Sequence, residues 1–153
     1  MFARPLLAAL LLAAVAGCRA APPAPTGPGP GDLTGTRWQL ARWQESDGAL
    51  RPIPHGSDPI TLQFGESGGR KTLAGFAGCN QFNGPYEMAG DRLAAEDVVA
   101  TKRACLTPQR NQLETAFLAA LDEGVTVTRE TDDGAPALRL KTKSGETLTF
   151  RAT

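Results

Sequence analysis

The feature that most constrains this chain is its rhythm: between residues 36 and 151, short runs alternate apolar and polar side chains, and glycine-rich turns separate them. A period of two is what a half-buried strand requires, because successive side chains leave opposite faces of the backbone. Residues 36–43 place Trp38 and Leu40 on one face and Arg37 and Gln39 on the other. Residues 60–64 repeat the pattern with Ile60, Leu62 and Phe64 inward. Turns at 67–69, 89–91, 132–134 and 143–145 divide the remainder into strands at 71–76, 85–88, 92–95, 125–130, 137–142 and 147–151. Pro85 restricts its segment to an edge or a strand start, since proline has no N–H to give a ladder.

One stretch departs from that rhythm. Thr107 as N-cap, Pro108 at the first helical position, and Leu113, Ala116, Phe117, Ala120 and Leu121 at helical spacing predict a helix that Gly124 closes. Asp122 and Glu123 stand at the end where the helix dipole prefers cations, so packing must hold this helix. Many short strands around one amphipathic helix predict an α+β fold. The expected form is a curved antiparallel sheet, barrel- or roll-like, packed on that helix.

The first residues are of a different kind. Arg4 precedes an uninterrupted apolar run from Leu6 to Ala16, too short for the roughly 20 residues of a membrane-spanning helix and suited to a signal peptide. The run ends in Val15, Ala16, Gly17 and Cys18, which resembles the lipobox of bacterial lipoproteins. The resemblance implies cleavage after residue 17 and attachment of a diacylglyceryl group, with fatty acyl chains such as palmitate, to the Cys18 thiol. One acyl chain binds a membrane only marginally, whereas several on one residue anchor firmly. The alternative is ordinary secretory cleavage that leaves Cys18 as a free thiol. Arg19 is not the aspartate that keeps enteric lipoproteins at the inner membrane, so the resemblance points to the outer membrane, with the protein facing the periplasm. Residues 18–31, rich in proline, glycine and alanine, cannot bury apolar surface and are expected to act as a tether. That leaves residues 32–153 for a single domain with one core.

An exported chain meets an oxidising compartment, so Cys79 and Cys105 are expected to form a disulfide. The loop of about 26 residues between them corresponds to roughly 3 to 4 kcal/mol in the chain-entropy model. A metal site or a reactive pair is the weaker alternative, because the spacing is not CxxC and no histidine is nearby. The stretch GFAGCNQFNG at 75–84 concentrates residues that tolerate positive φ. It lacks the lysine of a phosphate loop and the spacing of a dinucleotide loop. It reads first as the turn a disulfide needs, and second as a binding loop from Gly78 to Tyr86 presenting Asn80, Gln81 and Asn83. Trp43 has the opposite strand parity to Trp38, so simple alternation puts it at the surface as an aromatic for that binding face, unless a bulge lets it pack.

No catalytic constellation is legible. His55, the single histidine, stands between prolines and a glycine in an expected surface loop, with Ser57 and Asp58 merely adjacent in sequence. The acidic pairs 96–97, 122–123 and 132–133 read as solvated turns and helix ends. The 16 basic and 16 acidic residues balance, and losing residues 1–17 removes one arginine only. With cations scattered among acids, no nucleic-acid footprint exists. The expectation is a monomeric, non-enzymatic protein without cofactor or metal, whose partners are the membrane and a periplasmic protein or small molecule.

Taken together, LTGTRWQL at 33–40, PITLQF at 59–64, GFAGCNQFNGPY at 75–86, ATKRAC at 100–105, ETAFLAAL at 114–121 and GETLTF at 145–150 resemble the META domain of the HslJ-like family of small bacterial envelope proteins. Arg103 departs from it, standing where the family often has methionine. The resemblance implies a compact α+β unit with antiparallel strands curled around a helix, found in heat-shock and antibiotic-tolerance contexts. It implies no catalytic site, and no functional residue beyond the cysteines carries over.

Overall fold

A computed structural model describes residues 29–53 and 58–153 of the chain. The expected leader, Cys18, nearly all of the expected tether, and His55 with Ser57 lie outside the described residues. The elements run β1 (Arg37–Gln44), β2 (Thr61–Ser67), β3 (Arg70–Phe76), β4 (Gln81–Ala89), β5 (Arg92–Ala95), β6 (Val99–Ala100), α1 (Pro108–Glu123), β7 (Val125–Asp132), β8 (Ala135–Lys141) and β9 (Thr147–Ala152). All strand pairings are antiparallel, in the order β3-β2-β1-β9-β8-β7-β5-β4-β6, and a further β3–β4 pairing closes the circuit, with the short β6 added beside β4. The sheet therefore closes on itself in a ring, as the predicted curvature requires, and few strand edges are left for unwanted pairing.

The inward residues of the alternating runs fill that ring. Trp38, Leu40, Ile60, Leu62, Phe64, Leu73, Leu93, Val127, Leu138, Leu140, Leu148 and Phe150 are all buried. Helix α1 closes the interior with Leu113, Phe117, Ala120 and Leu121. Phe117 is fully buried and meets three strands through ring contacts, with centroids 5.7 Å from Phe82, 6.2 Å from Phe150 and 6.5 Å from Trp43. Such a side chain alone contributes about 2 to 3 kcal/mol of hydrophobic burial.

The helix ends form as expected, with a correction to the account of its C-terminus. Thr107 accepts the Arg110 N–H as N-cap, and Gly124 ends the helix at φ 82°. The cation missing from the last turn arrives from another element: the Arg92 guanidinium of β5 donates to the Glu123 carbonyl at 3.0 Å. Tertiary structure thus supplies what the helix sequence lacks.

The short strand β6 falls where no strand was expected, and two others differ from the expectation in their course. Strand β1 carries a register shift between Leu40 and Arg42, and the extra residue turns Trp43 to the same side as Trp38. Strand β4 runs straight through Pro85, which pairs with Thr72 of β3. On its other side, β4 changes partner at that point, from β6 at Phe82 and Asn83 to β5 from Tyr86 onward, so the missing N–H falls in a break of the ladder. Nearby, the Glu96 and Val98 backbone crosses Gly84 so closely that a Cβ there would stand 2.9 Å from the Glu96 oxygen. Pro30 is buried, so the packed chain begins slightly before residue 32.

Candidate functional site

The unusual stretch at 75–84 becomes the end of β3, a tight turn and the start of β4. Gly75 must be glycine, because a Cβ would collide with the Thr61 carbonyl on β2. At the turn, Gly78 takes φ 94°, and the Ala77 N–H donates to the Asn80 carbonyl at 2.8 Å. Cys79 and Asn80 are thereby pressed inward and are 4% and 3% exposed.

Three ties converge there. Cys79 is joined to Cys105 by a disulfide, with the Cα atoms 5.5 Å apart. Asn80 accepts at Oδ1 from the Thr101 hydroxyl at 2.9 Å and from the Arg103 N–H at 2.8 Å. Its Nδ2 donates to the Arg103 carbonyl at 3.1 Å and to the Glu114 carboxylate at 3.0 Å, and its backbone N–H donates to the same carboxylate at 2.6 Å. The Arg103 guanidinium closes the set by donating to the Cys79 carbonyl at 2.9 Å. One asparagine side chain thus satisfies both polar groups of residue 103 and links the turn, the segment before the helix and the helix itself.

Asn80 is therefore not a ligand-facing residue, and its assignment to a binding surface is corrected: burial and a full set of internal hydrogen bonds commit it to structure. Trp43 is corrected as well. It is fully buried, with its ring under the Arg51 guanidinium at 4.5 Å, and Arg51 is held by Glu45 at 3.0 Å and Glu146 at 2.8 Å. The bulge in β1 is the cause. Gln81 and Asn83 are exposed, but they stand on β4 rather than on a loop. Glu114 is the residue that sequence reasoning passed over; its signal was a carboxylate beside the buried positions Leu113 and Phe117 on the helix.

Among the described residues, Cys79, Cys105 and Glu114 bring metal-ligating atom types together, but the sulfurs are spent in the disulfide and the carboxylate receives two donors from Asn80. Beside the disulfide lies a shallow cavity of about 210 Å³ lined by Asp58, Cys79, Arg103, Ala104, Leu106 and Arg110. Arg110 pairs with Asp58 at 3.0 Å and also donates to the Gly78 carbonyl at 3.0 Å. A wider cleft of about 530 Å³ has Arg70, Lys71, Glu87, Glu96 and Asp97 among its lining residues. Burial first, and the Asp32 carboxylate second, push the pKa of the Tyr86 hydroxyl near it up.

The comparisons with known proteins agree with this architecture. A family model described as META domain matches residues 31–153. Heat shock protein HslJ of Escherichia coli (strain K12) is 30% identical over 101 residues, 66% of this chain and 66% of that protein, so just under two thirds of its length is spanned. A protein from Burkholderia xenovorans with an NMR structure superposes with a TM-score of 0.71 at 30% identity, covering 89% of this chain and 96% of that one. A second protein solved by NMR gives a TM-score of 0.58 at 28% identity, over 78% and 90% of the two chains.

Proposed function

The chain belongs to the META domain family, and on that premise we propose that it is a non-enzymatic lipoprotein of the bacterial cell envelope, supporting tolerance of envelope stress or antibiotics. In this reading, lipid on Cys18 holds it at the outer membrane, and the monomeric domain faces the periplasm. The observation that carries the reading is the order of the parts: the apolar run that begins at Leu6, then Val15, Ala16, Gly17 and Cys18, then a proline- and glycine-rich stretch, then a family domain related to a heat shock protein. Support comes also from the disulfide, which suits an oxidising compartment. The balance of the described charges, many of them in ion pairs such as Arg151 with Asp132 and Arg139 with Glu130, fits a structural surface rather than an acid–base site.

Mass analysis of the protein extracted from membranes tests the anchor: a lipid-modified N-terminal cysteine is expected, and a Cys18→Ser variant should appear in the soluble periplasmic fraction. An unmodified wild-type chain would remove the anchor from the reading. A deletion strain tests the role, with reduced tolerance of heat and novobiocin expected; tolerance equal to the parent's would remove it. A second reading, a module that grips a periplasmic protein or small ligand, retains Gln81 and Asn83 on the outer face of β4 as its contacts. Capture of a partner by wild type and its loss on Gln81→Ala with Asn83→Ala would favour that reading.

A further inference from the structure

Between Asp97 and Glu114 the chain carries Lys102, Arg103 and Arg110 and no acidic residue, although the protein as a whole has equal numbers of both signs. The same stretch holds Val99 and Leu106, which are 60% and 88% exposed. Exposed large apolar side chains are few among the described residues, and Leu106 is the most exposed of them. It stands at the rim of the cavity beside the disulfide, in one concave surface with the Arg103 and Arg110 side chains.

This segment has no regular secondary structure between β6 and α1, yet it is firmly held. The disulfide fixes Cys105, Asn80 binds both backbone groups of Arg103, and the Thr101 N–H donates to the Gln81 carbonyl at 2.9 Å. Its apolar tip and its cations are therefore presented in a preorganised form, and presenting them costs little further ordering. An exposed leucine with neighbouring lysine and arginine in local excess over acids is the combination that interfacial membrane binding uses: apolar insertion at the headgroup boundary plus attraction to anionic lipid.

We infer that the surface formed by Arg103, Leu106 and Arg110, with the exposed Lys102 next to Arg103 in the chain, docks on an anionic lipid bilayer, with Leu106 entering the headgroup region and the cations meeting lipid phosphates. Charge complementarity selects this occupant, since an apolar protein partner would gain nothing from the net positive charge that Lys102, Arg103 and Arg110 leave over Asp58. Asp58 offsets Arg110 in part, so Lys102 and Arg103 carry most of the attraction. The inference rests on the envelope reading for the presence of a membrane. It is compatible with the tether: residues 18–28, if extended at about 3.1 Å per residue, would reach on the order of 30 Å, enough for the domain to lie against the surface that anchors it.

The test uses residues 18–153 with Cys18→Ser, which retain the ring, the helix and the disulfide but take no lipid. Vesicle flotation should show binding to vesicles containing phosphatidylglycerol and little binding to pure phosphatidylcholine. In roughly 1 M salt, where the screening length falls to about 3 Å, binding to the anionic vesicles should collapse. Lys102→Ala should weaken binding about five-fold, and Lys102→Ala with Leu106→Ala at least about ten-fold. Lys141→Ala, which removes a cation from β8, should leave binding unchanged. Equal binding to both vesicle types, insensitivity to salt, or equal effects of Lys102→Ala and Lys141→Ala would overturn the inference. So would calorimetry showing that inorganic phosphate alone binds as tightly as the vesicles. If a variant fails to keep its disulfide, the lipid and salt dependence of wild type still decides. Because no lipid is attached to this protein, a negative result leaves the test of the Cys18 anchor standing separately.

Discussion

The strands β7, β8, β9 and β1 form one side of the molecule, and the corner around Cys79, Asn80 and Cys105 forms another; the two are held by different means. Along the first, pairing is unbroken from Thr126↔Lys141 to Asp132↔Ala135 and from Ala137↔Arg151 to Lys141↔Thr147. Its outer face is laced by ion pairs, with Asp132 between Arg151 at 3.1 Å and Arg42 at 3.3 Å. In the corner the ladder fragments. β6 meets β4 only at Phe82↔Ala100 and Asn83↔Val99, and beyond Asn83 that edge of β4 passes to β5. Where the ladder runs on, backbone groups satisfy one another and many side chains suffice. Where it stops, particular side chains must do that work, so sensitivity to substitution should concentrate at the corner and the helix it ties.

The largest effect is expected from Phe117→Ala, which empties the point where helix and three strands meet; about 4 kcal/mol of stability should be lost in denaturant unfolding. A loss below about 1 kcal/mol would mean the helix does not hold the interior. Next is the disulfide, where replacing both Cys79 and Cys105 by alanine should cost about 3 kcal/mol for the loop of 26 residues it closes. Asn80→Ala should cost about 2 kcal/mol, because it strips partners from the backbone of Arg103 and from Glu114. Both changes release the same segment, so a double-mutant cycle should show coupling between Asn80 and the disulfide. Strict additivity would show that the two ties act on separate regions.

The smallest effect belongs to the ion-paired side. Hydrogen bonds from Arg151, and then from Arg42, hold the Asp132 carboxyl below the ordinary carboxylate range. A group with a depressed folded-state pKa contributes stability above its unfolded value, about 3.9, and that contribution fades as pH falls through the folded value. Asp132→Asn should therefore lower Tm slightly at neutral pH and not at all at the most acid end, as differential scanning fluorimetry across pH would show. A large loss at neutral pH would place this network on a par with the corner and undo the contrast.

Much of the regular side was legible from local pattern alone. The inward faces of β1 at Trp38 and Leu40, of β2 at Leu62 and Phe64, and of β9 at Leu148 and Phe150 follow from alternation, and the helix follows from Thr107, Pro108 and Gly124. The candidate site was legible only in part. The cysteines pointed to their bond, but Asn80, grouped with Gln81 and Asn83 as a surface residue, turned inward, and Glu114 was not singled out. No local signal separates these cases, because the partners of Asn80 lie on a segment and a helix far along the chain.

Trp43 shows the boundary most directly. Strand period, turn chemistry and helix caps act between near neighbours, and for that reason residue order alone determined the helix, most of the strands and the α+β class, while the count of cysteines in a chain read as exported pointed to their bond. The bulge that reverses Trp43, the arginine of β5 that completes the helix end, the passage of β4 through Pro85 and the closure of the sheet by β3 with β4 were decided only in the tertiary structure. Each depends on an atom brought from a distant part of the chain, and its energy exists only once the ring has closed.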